Sequence, residues 1–329
     1  MKLIIQIPCL DEEESLPVTL ADLPREVPGF DTVEWLVIDD GSTDATRAVA
    51  RAHGVEHVVR LTAHQGLAEA FQAGLDASLK LGADVIVNTD ADHQYRGADI
   101  AALTRPILAG EADLVVGDRH VMTVDGFSRT KRHLQRLGSW VVRRASQTEV
   151  PDTTSGFRAY ARDAAIATQT VSRFTYTLES LIQAGRMSVG VAHVPVTTNP
   201  ELRPSRLFPS TGSYVRRNAV ALLRVYATYE PLRVFMLAAA VLGVAALALW
   251  GRFLWYFVGG DGSGHVQSLL LGAVLFNAAM LLAALGVLGD LLSAQRVVLQ
   301  RISERVRRVE LELGVAPSHL ERDEDEVPR

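Results

Sequence analysis

Three oxygen-bearing side chains, Asp90, Asp92 and Gln94, stand at alternate positions shortly after a β-branched run, Val85-Ile86-Val87. Carboxylates and neutral amide oxygens are the ligands that hard divalent cations take. Mg²⁺ or Mn²⁺ bound in this way keeps positions open for the phosphates of a substrate. On an extended backbone the three residues project to one side. The run before them reads as a buried strand of a parallel sheet, and in open α/β sheets ligands gather outside the carboxyl ends of strands. A polar exit from strand to loop uses the same residue types, so the reading depends on what the rest of the chain supplies.

Two more strand ends carry acids. Residues 3–7 form an apolar run that leads into Pro8, Asp11 and Glu12, and residues 34–38 lead into Asp39-Asp40-Gly41-Ser42-Thr43-Asp44. Carboxylates at such ends can accept hydrogen bonds from ribose hydroxyls or a base edge, and Gly41 lets the chain turn sharply. A capped turn into a helix, with Ser42 or Thr43 as N-cap, satisfies the same residues. Helical patterns cover 15–23, 43–53, 67–81, 100–108 and 175–185, and further strands are expected at 57–61, 113–116 and 189–198. This alternation predicts an α/β domain with a doubly wound, mostly parallel sheet and helices on both faces. Neither G-x-G-x-x-G nor G-x-x-x-x-G-K-[ST] occurs, so dinucleotide and P-loop readings lack support.

The pieces share an order and spacing: Pro8-x-x-Asp11-Glu12, Asp39-Asp40-Gly41-Ser42-x-Asp44, Gly66-Leu67-x-x-Ala70-x-x-x-Gly74, Asp90-Ala91-Asp92-x-Gln94, Gly117-x-Arg119 and Asp152-x-x-Ser155-Gly156-Phe157-Arg158. Together they resemble the GT-A-fold, family 2 glycosyltransferases, specifically the dolichol- or polyprenyl-phosphate sugar synthases, over about the first 210 residues. Asp11 and His64 stand where that family usually has Asn, and Gly117-Asp118-Arg119 where it has Gly-Ser-Arg. The resemblance implies that Pro8, Glu12, Asp39 and Asp40 line the donor's nucleoside pocket, with Asp90 beside the diphosphate. It implies a Mg²⁺ or Mn²⁺ on Asp90, Asp92 and Gln94, and catalytic roles for Asp92, Asp152 and Arg119. Asp152 either orients the sugar or takes a residual proton. Arg119, Arg203 and Arg206 are expected at the acceptor phosphate.

The remaining signals concern the membrane. The chain has 329 residues, 48% of them hydrophobic, and the excess collects after Pro231. A net charge of −5 gives no basic character, so nucleic acid is not expected as a partner. The lone Cys9 excludes an internal disulfide and fits a reducing compartment. The apolar run at 3–7 is too short for a signal-peptide core of ~7–15 residues, so the domain is expected to begin at Met1 in the cytosol. Residues 232–250, continued by 253–258, and residues 266–288 reach the ~20 residues that span a bilayer. The connecting 259–265 has no Lys or Arg, whereas arginines flank the outer ends. The positive-inside rule therefore places the catalytic domain and the tail in the cytoplasm of a bacterial or archaeal cell, with Arg252 the exception. Arginines set among apolar residues at 122–146 and 212–229 read as helices lying in the interface. The arginine-rich helix at 297–313 is a candidate for pairing between protomers, and the acidic end is expected to be disordered.

The expected organisation is thus a GT-A domain at 1–210, a juxtamembrane helix at 211–231, a spanning hairpin at 232–292 and a cytoplasmic helix with acidic tail at 293–329. The expected activity is an inverting transfer of hexose from a nucleotide-sugar, GDP-mannose or a UDP-hexose, to polyprenyl monophosphate. A different lipid acceptor and a non-catalytic scaffold are the alternatives. A processive polysaccharide synthase is excluded, since no Gln-x-x-Arg-Trp motif is present.

Overall fold

Apolar residues at successive rather than alternate positions mark strands covered on both sides. Leu3, Ile4, Ile5 and Ile7 of β1 (Lys2–Cys9) are all buried, as are Leu36, Val37 and Ile38 of β2 (Thr32–Asp39) and Val85, Ile86 and Val87 of β4 (Val85–Asn88). The structure is a computed structural model that describes residues 1–119, 146, 148–170, 176–187, 189–200, 230–260 and 265–321. The expected interface helices at 122–146 and 212–229, Arg203 and Arg206, most of the hairpin loop and the acidic end lie outside the described residues.

The remaining elements are α1 (Leu16–Asp22), α2 (Thr46–Ala52), β3 (His57–Arg60), α3 (Leu67–Lys80), α4 (Ile100–Leu108), β5 (Leu114–Asp118), β6 (Arg158–Ala161), α5 (Arg162–Ala167), α6 (Tyr176–Arg186), β7 (Val191–Pro195), α7 (Pro231–Val258) and α8 (Val266–Glu312). The seven strands form one sheet in the order β3-β2-β1-β4-β6-β5-β7. Every pairing is parallel except those of β6, which runs antiparallel between β4 and β5. On one face Leu3, Ile5, Val37, Val85 and Val87 pack with Leu16 and Leu20 of α1, Ala50 of α2 and Ile100 and Leu103 of α4. On the other, α3 lies against β1 and β2, with Gln6 Nε2 3.5 Å from the Phe71 carbonyl.

Two local readings change. The antiparallel β6 was not legible, because Arg-Ala-Tyr-Ala has no β-branched run. Neither Ser42 nor Thr43 caps α2; the helix starts at Thr46, whose amide hydrogen-bonds to Asp44 Oδ1 at 2.9 Å.

The chain divides into two compact units, Met1–Asn218 with Gln300–Arg329, and Ala219–Leu299. In the second, α7 and the first part of α8 pack as a hairpin. The buried small residues Ala239 and Ala246 on α7, and Gly272, Ala279 and Gly286 on α8, recur every seven residues. Small residues let apolar helices approach closely in lipid. Trp250 donates to the Leu269 carbonyl at 3.2 Å and lies 5.2 Å from the Phe276 ring. Both helices are long and apolar enough to cross a membrane, and only 11% and 17% of their most apolar stretches are buried. A core helix of a soluble protein would bury most of that surface, so these two are candidate membrane spans. The expected second span and the 297–313 helix form one uninterrupted helix, α8.

Candidate active site

The strand order fixes where a site can form. From β1 the chain moves to β2 and β3 on one side, then returns to β4 on the other, so β1 and β4 flank a topological switch point. Asp39 ends β2, and the loops after β1, β2, β4 and β5 carry Glu12, Asp40, Asp90 and Asp92, and Arg119.

The two acids after β2 face inward. Asp40 is 3% exposed and accepts from the Gln65 amide at 2.7 Å and the Gly66 amide at 2.9 Å; His64 Nδ1 lies 2.8 Å from its Oδ2. Asp39, 1% exposed, accepts from the Ser42 amide at 2.8 Å, and Arg47 Nε lies 3.2 Å from its other oxygen. The protein's own donors thus hold both carboxylates in place within the turns that follow β2 and β3. Gly41, at φ +79, passes so close to the 63–64 backbone that a Cβ would sit 2.7 Å from the His64 nitrogen. Asp11 also adopts a left-handed conformation, φ 52, and accepts from the Thr43 amide at 2.8 Å. Pro8 lies within β1, and the Glu12 amide donates to Thr46 Oγ1 at 2.8 Å.

After β4 the backbone is not extended, and the expected alternation of Asp90, Asp92 and Gln94 does not apply. The strand stops at Asn88, His93 takes φ 57, and the Gln94 amide turns back to Asp92 Oδ1 at 3.1 Å. Such an Asx turn is a conformation that Asp favours. Thr19 Oγ1 holds the turn through the Ala91 carbonyl at 2.9 Å, and Asn199 holds it through the carbonyls of His93, 3.1 Å, and Gln94, 2.9 Å. Burial and then the charge of Asp92 push the Asp90 carboxyl up to about 7, against the pull of Arg119. Among the described residues, nothing donates a hydrogen bond to it.

Arg119 joins the two sides of the site. Its Nε and Nη2 grip Asp152 at 2.7 and 3.1 Å, Nη2 also reaches Thr154 Oγ1 at 3.0 Å, and Nη1 donates to Gln94 Oε1 at 3.2 Å. Burial acts to raise the Asp152 carboxyl, but the Arg119 guanidinium and Thr154 hold it below the usual carboxylate range. Asp152 thus stays ionised and is a weak proton acceptor, which favours orientation over base catalysis.

In the supporting layer beneath, Ser155, Gly156, Phe157 and Arg158 belong to the quoted motif, whereas Gln6, Asn88, Tyr95 and Tyr176 were not singled out in the sequence. Gln6 donates to Asn88 Oδ1 at 2.9 Å, and Asn88 donates to the Gly156 carbonyl at 2.8 Å and the Tyr176 hydroxyl at 3.1 Å. A Cβ on Gly156 would lie 2.8 Å from the Tyr176 hydroxyl and 2.9 Å from an Asp90 oxygen, so glycine is needed for the close approach. The Tyr95 hydroxyl accepts from the Gly156 amide at 3.1 Å, and its ring stacks on Phe157. The fully buried Arg158 donates to the carbonyls of Thr153, Ser155 and Thr177 and to Ser180 Oγ, fastening the 152–156 loop to α6. The available signal was polarity: Gln6 and Asn88 interrupt otherwise apolar strands, and a buried polar residue is the informative kind.

The donor set suits a divalent cation in part. The charges of Asp92 and Glu12 raise the electrostatic cost of an ionised Asp90, and a bound cation would relieve that cost. Gln94, expected as the third ligand, has its side-chain oxygen turned to Arg119. Among the described residues no cluster of three His, Cys, Asp or Glu could enclose an ion. A two-carboxylate site leaves most positions to substrate oxygens and water, as Mg²⁺ sites commonly do.

The family model described as glycosyl transferase family 2 matches residues 4–168, which span β1 through α5 and contain the turns just described. The chain belongs to glycosyl transferase family 2. As a member of this family it is an enzyme, a glycosyltransferase. An undecaprenyl-phosphate mannosyltransferase of Micrococcus luteus is 30% identical over 207 residues, 60% of this chain and 83% of that protein. A polyprenol monophosphomannose synthase of Mycolicibacterium smegmatis is 29% identical over 225 residues, 65% and 82% of the two chains. Among solved structures, glucosyl-3-phosphoglycerate synthase from Mycobacterium tuberculosis, in complex with Mn²⁺, UDP-glucose and phosphoglyceric acid, superposes with a TM-score of 0.51. That match has 22% identity and covers 67% of this glycosyltransferase and 79% of that chain. The fold of this family 2 enzyme is accordingly GT-A-like.

Proposed function

We propose that this glycosyltransferase moves a hexosyl group from a nucleoside-diphosphate sugar to a polyprenyl monophosphate at a membrane surface, with inversion at the anomeric carbon. The observation that carries the reading is Arg119, which ties Asp152 and Gln94 together beside Asp90, whose carboxyl burial and the charge of Asp92 push up, at the switch point. The candidate spans supply the reason for a lipid acceptor. Two relatives named as mannosyl transferases to such lipids favour mannose, from GDP-mannose, over a UDP-hexose.

In this reading Glu12 and the β1 end border the nucleoside, while Asp39 and Asp40 hold the loops that shape its pocket. Asp90 and Asp92 would hold Mg²⁺ or Mn²⁺, which when bound neutralises charge on the departing diphosphate. Asp152, clamped by Arg119, accepts hydrogen bonds from sugar hydroxyls and fixes the ring. The acceptor phosphate is already anionic near neutral pH, so its oxygen attacks without a general base. The bond from the anomeric carbon to the diphosphate breaks as the new carbon–oxygen bond forms, and the nucleoside diphosphate leaves.

Four of the five Arg119 N–H donors are committed to protein partners, which leaves one for the acceptor. Arg203 and Arg206 are assigned the rest of the phosphate contact. Asn199, which grips the turn after β4, precedes Arg203 by only four positions in the sequence. The arginine bias around the spans supports a catalytic unit on the cytoplasmic side.

The test is a panel of nucleotide sugars, each offered with Mn²⁺ and a short polyprenyl phosphate to detergent-solubilised protein. A glycosylated polyprenyl phosphate is the expected product, and Arg206→Ala should cut its formation about ten- to a hundredfold while sparing nucleotide binding. Transfer exclusively to a water-soluble acceptor would overturn the reading.

A further inference from the structure

The last described segment does something that neither sugar transfer nor membrane anchoring requires. Beyond Gln300, α8 belongs to the same compact unit as the sheet, and its polar side runs along α3 and α5. Glu310 lies 3.5 Å from Lys80, and Arg308 lies 2.9 Å from Asp163. Arg307 donates to the carbonyls of Ile166 and Thr168 at 3.2 and 2.9 Å, at the C-terminal end of α5. After a turn at Gly314, residues 319–321 lie antiparallel to the edge strand β3. The Arg60 amide donates to the His319 carbonyl at 2.9 Å and the Glu321 amide to the Val58 carbonyl at 2.8 Å.

Covering an exposed sheet edge is a structural task in its own right. The Glu321 side chain goes further. Its two oxygens receive Arg47 Nη1 at 2.9 Å and Arg51 Nη2 at 2.6 Å, both from α2. Arg47 is shared, since its Nε faces the buried Asp39 at 3.2 Å. Asp39 in turn holds the Ser42 amide, and Ser42 Oγ accepts from the Asp11 amide at 3.0 Å. A continuous line of charge and hydrogen bonds therefore runs from the C-terminal strap to the loops after β2 and β1.

We infer that Glu321 is a positioning residue for the nucleotide: the strap fixes Arg47 so that it compensates Asp39 and keeps the 39–44 turn in the shape the donor needs. The inference rests on the donor-pocket reading above. A buried carboxylate whose cation is free to swing away is poorly compensated, and the turn built on it loosens.

The experiment uses the full-length protein in detergent, with Glu321→Gln and Glu321→Asp beside the wild type. Binding of GDP and UDP, each with Mn²⁺, is measured together with donor KM, kcat and amide exchange at Arg60. The Gln variant should weaken nucleotide binding and raise donor KM about three- to tenfold, with kcat at saturating donor within about twofold of wild type; this is the size of one charged hydrogen bond partly replaced by a neutral one. The Asp variant should recover most of the loss. Unchanged nucleotide affinity in the Gln variant would overturn the positioning role and leave the donor pocket intact. A wild type that binds neither nucleotide would instead bring down the donor reading, and this inference with it.

Discussion

At the end of β2, Asp40 receives two backbone amides and His64, and Asp39 is matched by Ser42 and Arg47. At the end of β4, Asp90 receives no donor among the described residues, and burial together with Asp92 pushes its carboxyl up to about 7. Both regions read in the sequence as paired acids following a strand. The first pair lowers the energy of the folded chain by organising its loops. In the second pair Asp92 closes its own turn, while an ionised Asp90 raises the energy until a positive charge arrives. Functional sites are where such local costs accumulate, because groups placed to act on a substrate are not spent on the fold.

That contrast can be broken at several points. The largest effect is expected for Asp92→Asn, which should reduce transfer by about a thousandfold or more, because an amide brings no charge to draw the cation. EDTA should do the same to the wild type, reversed by Mn²⁺ or Mg²⁺; full turnover in EDTA would remove the metal from the account. Next is Arg119→Lys, which keeps the charge but cannot bridge Asp152, Thr154 and Gln94 at once. A loss of about ten- to a hundredfold in kcat/KM is expected, and wild-type kinetics would show the bridge to be dispensable. Gly156→Ala should come third, with turnover down about tenfold, since its Cβ would crowd an Asp90 oxygen at 2.9 Å.

The smallest effect concerns pH and the strap. Burial raises the Glu321 carboxyl, but Arg47 and Arg51 outweigh it and hold the group below the usual glutamate range. A depressed folded value means that the pair's contribution is fully present above the unfolded value and is lost as pH falls through the folded one. Protease sensitivity of the C-terminal segment should therefore rise only on acidification below about pH 4. A rise already at pH 6 would contradict the ion-pair account.

Much of this was legible before the structure. The β-branched runs gave β1, β2 and β4, and the acids at their ends marked the site. Asp152 and Arg119, separated by 33 positions, both stand in the family motifs, and the structure brings them into contact. The inward turn of Asp39 and Asp40 was not legible, because their partners Gln65, Gly66 and Arg47 come from other elements. Nor was the Asx turn at Asp92, since the spacing of Asp90, Asp92 and Gln94 fits a strand and a turn equally well. β6 escaped because a short strand of Arg, Ala and Tyr has no distinguishing pattern. The strap escaped because an arginine-rich helix with an apolar stripe has the same appearance whether it meets a membrane, a second copy or its own catalytic unit.

The most direct test sets Asp40→Asn beside Asp90→Asn, measuring melting temperature in EDTA at pH 8 and transfer activity with Mn²⁺. Asp40→Asn should melt several degrees lower, by about 2–4 °C per kcal/mol of lost loop hydrogen bonding. Asp90→Asn should melt no lower than wild type, since it removes a charge facing that of Asp92, and should nevertheless lose transfer. An Asp90→Asn protein that melts well below wild type, or that keeps its activity, would contradict the division between acids that hold the fold and acids that do the chemistry.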